Sequence, residues 1–136
     1  MTVGVPIELG WLGIPLTVLW LLGCINALNL IDGMDGLASI VGLSTAAMMG
    51  VIAASTGLDH VAIIALVLAG ALAGFFVHNR PPARIFLGDS GSLLLGYLLA
   101  VLSIRAGQKG ATTVVLIAPI LALGLPIMDT LLSMLR

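Results

Sequence analysis

Of 136 residues, 60% are apolar and only 8% are charged, with a formal net charge of -1 and a mean hydropathy of +1.26. A soluble domain carries charge on about a quarter of its residues, so this balance defines an integral membrane protein. Lys and Arg cluster nowhere, which excludes a nucleic-acid footprint and a polybasic membrane patch.

Residues 1–10 contain no Lys or Arg, so the charged n-region of a signal peptide is missing. Residues 11–28, apolar apart from Thr17 and Asn26, form a first predicted span, with Pro15 near its start where a missing N–H costs least. The lone Cys24 permits no intrachain disulfide and reads as a packed thiol. A second span covers residues 37–56 and a third 61–77, where Gly70 and Gly74 offer a small-xxx-small face for close helix approach. A fourth is centred on residues 89–105, and a fifth, 111–135, contains Pro119 and Pro126, which kink or break it. Backbone groups in hydrocarbon must all be paired, so the expected fold is all-α: a polytopic transmembrane bundle of about five spans.

If each span crosses once, Asp32, Asp35, Arg80, Arg84, Asp89, Asp129 and Arg136 share one membrane face. Glu8, Asp59, Arg105 and Lys109 fall on the other. Lys and Arg divide three to two, too evenly for the positive-inside rule to orient the chain.

The densest polar stretch is Asn26-Ala-Leu-Asn-Leu-Ile-Asp-Gly-Met-Asp-Gly, set directly against an apolar run. The plainer reading of Asp32 and Asp35 is a turn with a helix N-cap, using Gly33 and Gly36 for unusual backbone angles. Asp89-Ser90-Gly91-Ser92 is open to the same reading. Recurrence favours chemistry: two Asp/Gly turns, each opening a span, meet on one face. Helix N-termini offer free N–H groups to anionic oxygens. Carboxylates can hold a magnesium ion that also takes substrate phosphates. Arg80 and Arg84 are placed to contact remaining phosphate oxygens, or serve as ordinary topology signals.

Asn26-Ala-Leu-Asn-Leu-Ile-Asp-Gly-Met-Asp-Gly-Leu-Ala and His78-Asn-Arg-Pro-Pro-Ala-Arg-Ile-Phe-Leu-Gly-Asp-Ser-Gly-Ser resemble two signature loops of the polyprenyl-phosphate N-acetylhexosamine-1-phosphate transferases. The second loop is more similar to the undecaprenyl-phosphate N-acetylglucosamine-1-phosphate branch than to the phospho-N-acetylmuramoyl-pentapeptide branch. The resemblance implies transfer of a sugar 1-phosphate from a UDP-N-acetylhexosamine to a polyprenyl phosphate, releasing UMP. It places the reaction at the cytoplasmic face of the bacterial inner membrane, with magnesium as cofactor and manganese as an alternative. By position, Asp89 resembles the metal-binding aspartate, with Asp32 as a second ligand, and Asp32 and Asp35 resemble paired active-site acids. Asn29 matches a polar residue of that site, and Gly33, Met34, Asp35, Asn79 and Phe86 match positions lining a uridine pocket. A Phe86 ring can stack on a base and an Asn79 amide can read its edge.

The family also carries an upstream Asp-Asp pair, a downstream His-rich loop and about ten spans. Here no adjacent Asp-Asp pair occurs, and the only histidines, His60 and His78, lie outside any such loop. The chain is therefore expected to be an internal piece of a roughly ten-span fold and inactive alone. An ion-coupled transporter fragment is the alternative from another class, since transporters also place Asp, Asn and Gly at broken helices. A third is a non-catalytic piece that packs with partner membrane proteins. For the transferase, membrane lipids and a second copy, as a homodimer, are the further candidate partners.

Overall fold

The computed structural model describes residues 10–107. A short 3-10 turn, Gly10–Leu12, leads into α1 (Gly13–Ile31), followed by α2 (Leu37–Ser55), α3 (Asp59–Asn79) and α4 (Gly88–Gly107). Each helix is long and apolar enough to cross a bilayer. At 1.5 Å per residue, about 20 residues cover a hydrocarbon core of about 30 Å. The architecture is all-helical over the described residues, as expected for a multi-pass membrane protein, and the fifth predicted span, 111–135, lies outside them.

The helix boundaries differ from the expected spans by up to three residues. The first helix runs on to Ile31, so Asn29 stands on its last turn and not in a loop. The third starts at Asp59, an acidic residue in the first turn where the helix dipole favours it. Between α2 and α3 the chain turns in a Schellman motif: Leu58 N–H donates to Ala53 O at 2.9 Å and Gly57 N–H to Ala54 O at 3.3 Å. Gly57 supplies the positive φ of 70°, and Leu58 is buried against the core.

Helix α2 packs most extensively on α3, α1 on α4, and α2 also meets α4. Lipid tails are as apolar as leucine, so close packing of small residues must hold such helices together. Ala27, Ala38, Ala46, Ala53, Ala65 and Ala100 form much of the interior. A Cβ added to Gly96 would lie 2.7 Å from Ile25 Cα and 2.9 Å from the Cys24 carbonyl oxygen, so α4 rests directly on the backbone of α1. Gly42 receives the side chains of Leu95 and Leu72, and Gly50 that of Leu66. The sequence expectation for Gly70 and Gly74 is corrected: nothing among the described residues comes within 4 Å of a Cβ at either.

Polar groups inside the spans close locally, across α1 and α4, or, at Ser39 and Asn79, across α2 and α3. The Thr17 hydroxyl donates to Gly13 O, Asn26 Nδ2 to Leu22 O and the Ser44 hydroxyl to Ile40 O, each at 2.7 Å, the back-bonding that lets such residues sit in a helix. Trp20 Nε1 donates to Ser103 Oγ at 2.9 Å. With Asn29 on Ser92 and Cys24 and Ile25 on Gly96, this pair fixes α1 and α4 as antiparallel neighbours. Their register brings the end of α1 to the start of α4.

Candidate active site

Two chain breaks meet at this end of the bundle. After α1, Asp32 to Gly36 turns the chain, and Gly36 enters the left-handed region at φ 75°. A Cβ at Gly36 would meet the Phe76 ring at 3.0 Å, Asn79 O at 3.4 Å and Pro81 Cδ at 3.5 Å. The bare backbone is what lets the end of α3 close on the turn. Gly36→Ala is therefore expected to cost about 1–2 kcal/mol from the left-handed backbone alone. The check is a lowered thermal unfolding midpoint in detergent, and an unchanged midpoint would contradict it. Gly33, expected to need an unusual angle as well, has none. Gly36 caps α2 without any side-chain bond, so the N-cap reading of Asp32 and Asp35 fails for this helix.

The second break follows α3. Arg80 precedes Pro81, which disfavours the helical region for it; Arg80 is extended, with φ -63° and ψ 149°. The segment from Pro81 to Leu87 then crosses back toward the first turn. Arg84 N–H donates to His78 O at 2.9 Å, Asn79 Nδ2 to Ile85 O at 2.8 Å, and Ala83 N–H to Asp35 Oδ2 at 3.0 Å. The Pro81–Pro82 bond is cis.

Where the breaks meet, one polar cluster forms from both. Asn29 Nδ2 donates to Asp89 Oδ1 at 3.2 Å and to Ser92 Oγ at 2.9 Å. Ser92 itself donates to Gly88 O at 3.0 Å, so it can only accept from Asn29. The amide is thus fixed with its NH2 group toward α4, and its carbonyl oxygen takes no partner among the described residues. Asp32 stands beside the same cluster. Burial first, then the Asp89 carboxylate, push its carboxyl above the usual carboxylate range, against the pull of a hydrogen bond from the Gly88 N–H. A raised acid pKa stabilises the folded state at low pH, and that contribution is lost as pH rises through the raised value. Ionised Asp32 and Asp89 side by side thus work against each other unless a cation joins them.

The residues expected from sequence divide into three groups. Asn29, Asp32 and Asp89 come together. Asp35 does not join them; its carboxylate latches the Ala83 backbone. Met34 and Phe86 are 62% and 67% exposed, and Gly33, Arg80 and Arg84 are exposed beside them. Asn79 is different: at 3% exposure it has its amide nitrogen on Ile85 and its oxygen on Ser39. Sequence reasoning missed Ser92 and Ser39. Ser92 lies three residues after Asp89 on a helix, a spacing that places both on one face; Ser39 carried no such mark. His78 is exposed near the site, whereas His60 sits at the opposite end of α3.

A helical membrane scaffold with acids, amides and glycines concentrated where two helix breaks converge defines the class, and comparison with known proteins makes it specific. The family model described as "Glycosyl transferase family 4" matches residues 1–107, and the chain belongs to that family. It is 47% identical over 132 residues to a probable undecaprenyl-phosphate N-acetylglucosaminyl 1-phosphate transferase of Bacillus subtilis, covering 95% of this chain and 36% of that protein. It is 43% identical over 106 residues to the phospho-N-acetylmuramoyl-pentapeptide-transferase of Streptococcus pneumoniae, covering 78% of this chain and 32% of that one. The corresponding enzyme of Streptococcus sanguinis is 45% identical over 105 residues. The chain thus spans about a third of the length of these curated relatives.

Among the described residues no three His, Cys, Asp or Glu side chains converge as a metal cage. Two carboxylates and an amide carbonyl are nonetheless a hard-oxygen set. It suits an ion such as magnesium, which keeps several waters and takes its other ligands from substrate phosphates.

Proposed function

We propose that the complete protein transfers N-acetylglucosamine 1-phosphate from its UDP-sugar to undecaprenyl phosphate at the cytoplasmic face of a bacterial inner membrane, for cell-envelope polysaccharide synthesis. An oxygen of the lipid phosphate attacks the sugar-linked phosphorus, the bond between the two phosphates breaks, and UMP leaves. The observation that carries this reading is the convergence of Asn29 and Asp32 from α1 with Asp89 and Ser92 from α4. It sets acid groups on helices whose outer faces are apolar, where a lipid phosphate and a soluble nucleotide can meet.

Asp32 and Asp89 hold magnesium, or manganese in its place. When bound, the ion offsets the charge of two approaching anions. Asn29 steadies Asp89 and offers its carbonyl to the ion or its waters. The exposed Phe86 ring and Met34 provide a surface for the base, and Arg80 and Arg84 contact phosphate oxygens. A lipid phosphate already carries negative charge, so the site needs to position the nucleophile more than deprotonate it.

The S. pneumoniae similarity supports a second reading, in which the sugar is a phospho-N-acetylmuramoyl pentapeptide. Purified complete protein should release UMP from UDP-N-acetylglucosamine only with undecaprenyl phosphate and magnesium both present, and chelation should abolish release. UMP from the muramoyl-pentapeptide nucleotide alone selects the second reading. Release from neither substrate, together with ion-coupled uptake into proteoliposomes, overturns the transferase in favour of a transporter.

A further inference from the structure

We propose that Ser39 is a positioning residue for nucleotide-sugar binding: through Asn79 it docks the segment from Pro81 to Leu87 onto the start of α2 and so sets where Arg84 and Phe86 stand. The proposal rests on the transferase reading for its substrate, but its geometry is independent of it. Ser39 is completely buried, and its hydroxyl donates to Asn79 Oδ1. With that oxygen engaged as an acceptor, the amide cannot flip, and Nδ2 is held toward Ile85 O, to which it donates. The relay therefore runs from α2, through the last residue of α3, to the backbone between Arg84 and Phe86.

Two further observations place weight on it. Ser39 stands one turn beyond Gly36, where the missing Cβ admits the Asn79 carbonyl and Pro81, so backbone contact and side-chain relay act at one point. The other side-chain tether of the segment, Asp35 to Ala83, is solvent-exposed and has water as a competitor, whereas Ser39 and Asn79 are shielded from it; the backbone bond from Arg84 N–H to His78 O ties the segment to α3 and not to α2. A buried pair that loses one partner leaves the other unsatisfied. By contrast, the Asn29–Asp89–Ser92 cluster is held by α1 and α4 and makes no use of Ser39. Loss of the hydroxyl should thus weaken substrate binding while sparing turnover.

The test is Ser39→Ala in the complete protein, purified in detergent, with two readouts. Arg80 is followed by Pro81 and resists trypsin, so cleavage after Arg84 reports release of the segment; it should quicken about fivefold. The KM for UDP-N-acetylglucosamine should rise about tenfold with kcat within about twofold. In an Asn79→Ala background, Ser39→Ala should add nothing, because the relay is already cut. Ser44→Ala, whose hydroxyl bonds only its own helix among the described residues, should move neither readout. Ser39→Cys, a weaker donor in similar space, should give the same changes in smaller measure and covers the case in which Ser39→Ala does not accumulate. Unchanged cleavage and KM, or effects that add in full to those of Asn79→Ala, overturn the relay. Faster cleavage in a protein that releases no UMP keeps the relay and removes the transferase reading.

Discussion

Asp89→Asn in the complete protein is expected to reduce magnesium-dependent UMP release about a thousandfold, the equivalent of ~4 kcal/mol from a metal's stabilisation of phosphoryl transfer. The substitution keeps the shape of the side chain and removes one of the two carboxylates that crowd each other at the end of α1. It also leaves the Asn29 amide facing another amide, so the group that fixes Asn29 loses its charge-assisted character. Removing Asp89's charge should bring the Asp32 carboxyl back toward its ordinary range, an independent readout by titration. Asp59→Asn, at the opposite end of α3, should leave turnover unchanged. If Asp89→Asn retains activity within about tenfold of the unaltered protein, the metal assignment falls, since one tenfold step corresponds to only about 1.4 kcal/mol.

The second large effect is expected at a residue with no chemistry of its own. In Gly96→Ala the new methyl group meets the Ile25 Cα at 2.7 Å and the Cys24 carbonyl oxygen at 2.9 Å, both backbone atoms that cannot swing aside. The helices must separate, an overpacking cost of about 1–3 kcal/mol, and separation pulls Asn29 away from Asp89 and Ser92. Thermal unfolding in detergent should show a lowered midpoint, with activity falling in parallel. Gly70→Ala is the matched comparison, since no described residue comes within 4 Å of a Cβ there and alanine is the better helix former by up to about 1 kcal/mol. Equal midpoints for the two variants would show that α4 does not rest on α1 as described.

This contrast between glycines also marks how far the sequence could be read. Helix number and order over residues 10–107 follow from apolar runs interrupted by Asp/Gly and Pro, because hydrocarbon leaves the backbone no alternative. Helix ends are harder to read: Asn29 looks like the exit from a span, yet its amide is engaged by Asp89 and Ser92 and the helix continues past it. Helix pairing was not legible at all. Gly70 and Gly74 have the motif spacing, but the close contacts fall at Gly42, Gly50 and Gly96. Spacing along one helix does not say which neighbour will face it.

The site was partly legible for a related reason. Charged and amide groups are rare in an apolar chain, so Asn29, Asp32 and Asp89 stand out, and crossing parity puts them on one face. Asn79, beside Arg80 and Pro81, looks like a loop residue with a free amide; only the fold shows it buried and bonded at both ends. Asp35 looks like the twin of Asp32, but three residues of turn carry it to Ala83 instead. Serines are ordinary in membrane helices, and Ser39 carries no mark of its position until Asn79 is seen opposite it.

The antiparallel pairing of α1 with α4 sets an order of events during synthesis. Helices α2 and α3 are sequence neighbours joined by a tight turn, so they can associate as soon as both have entered the bilayer. Helix α1 must wait: its partner emerges only after the intervening hairpin, and until then Asn29 has neither Asp89 nor Ser92 to bond. A ribosome-arrested chain ending before Gly88 would hold Asp32 without its opposing acid. The meeting of Asn29 and Asp32 with Asp89 and Ser92 thus waits until α4 leaves the translocon and closes on α1.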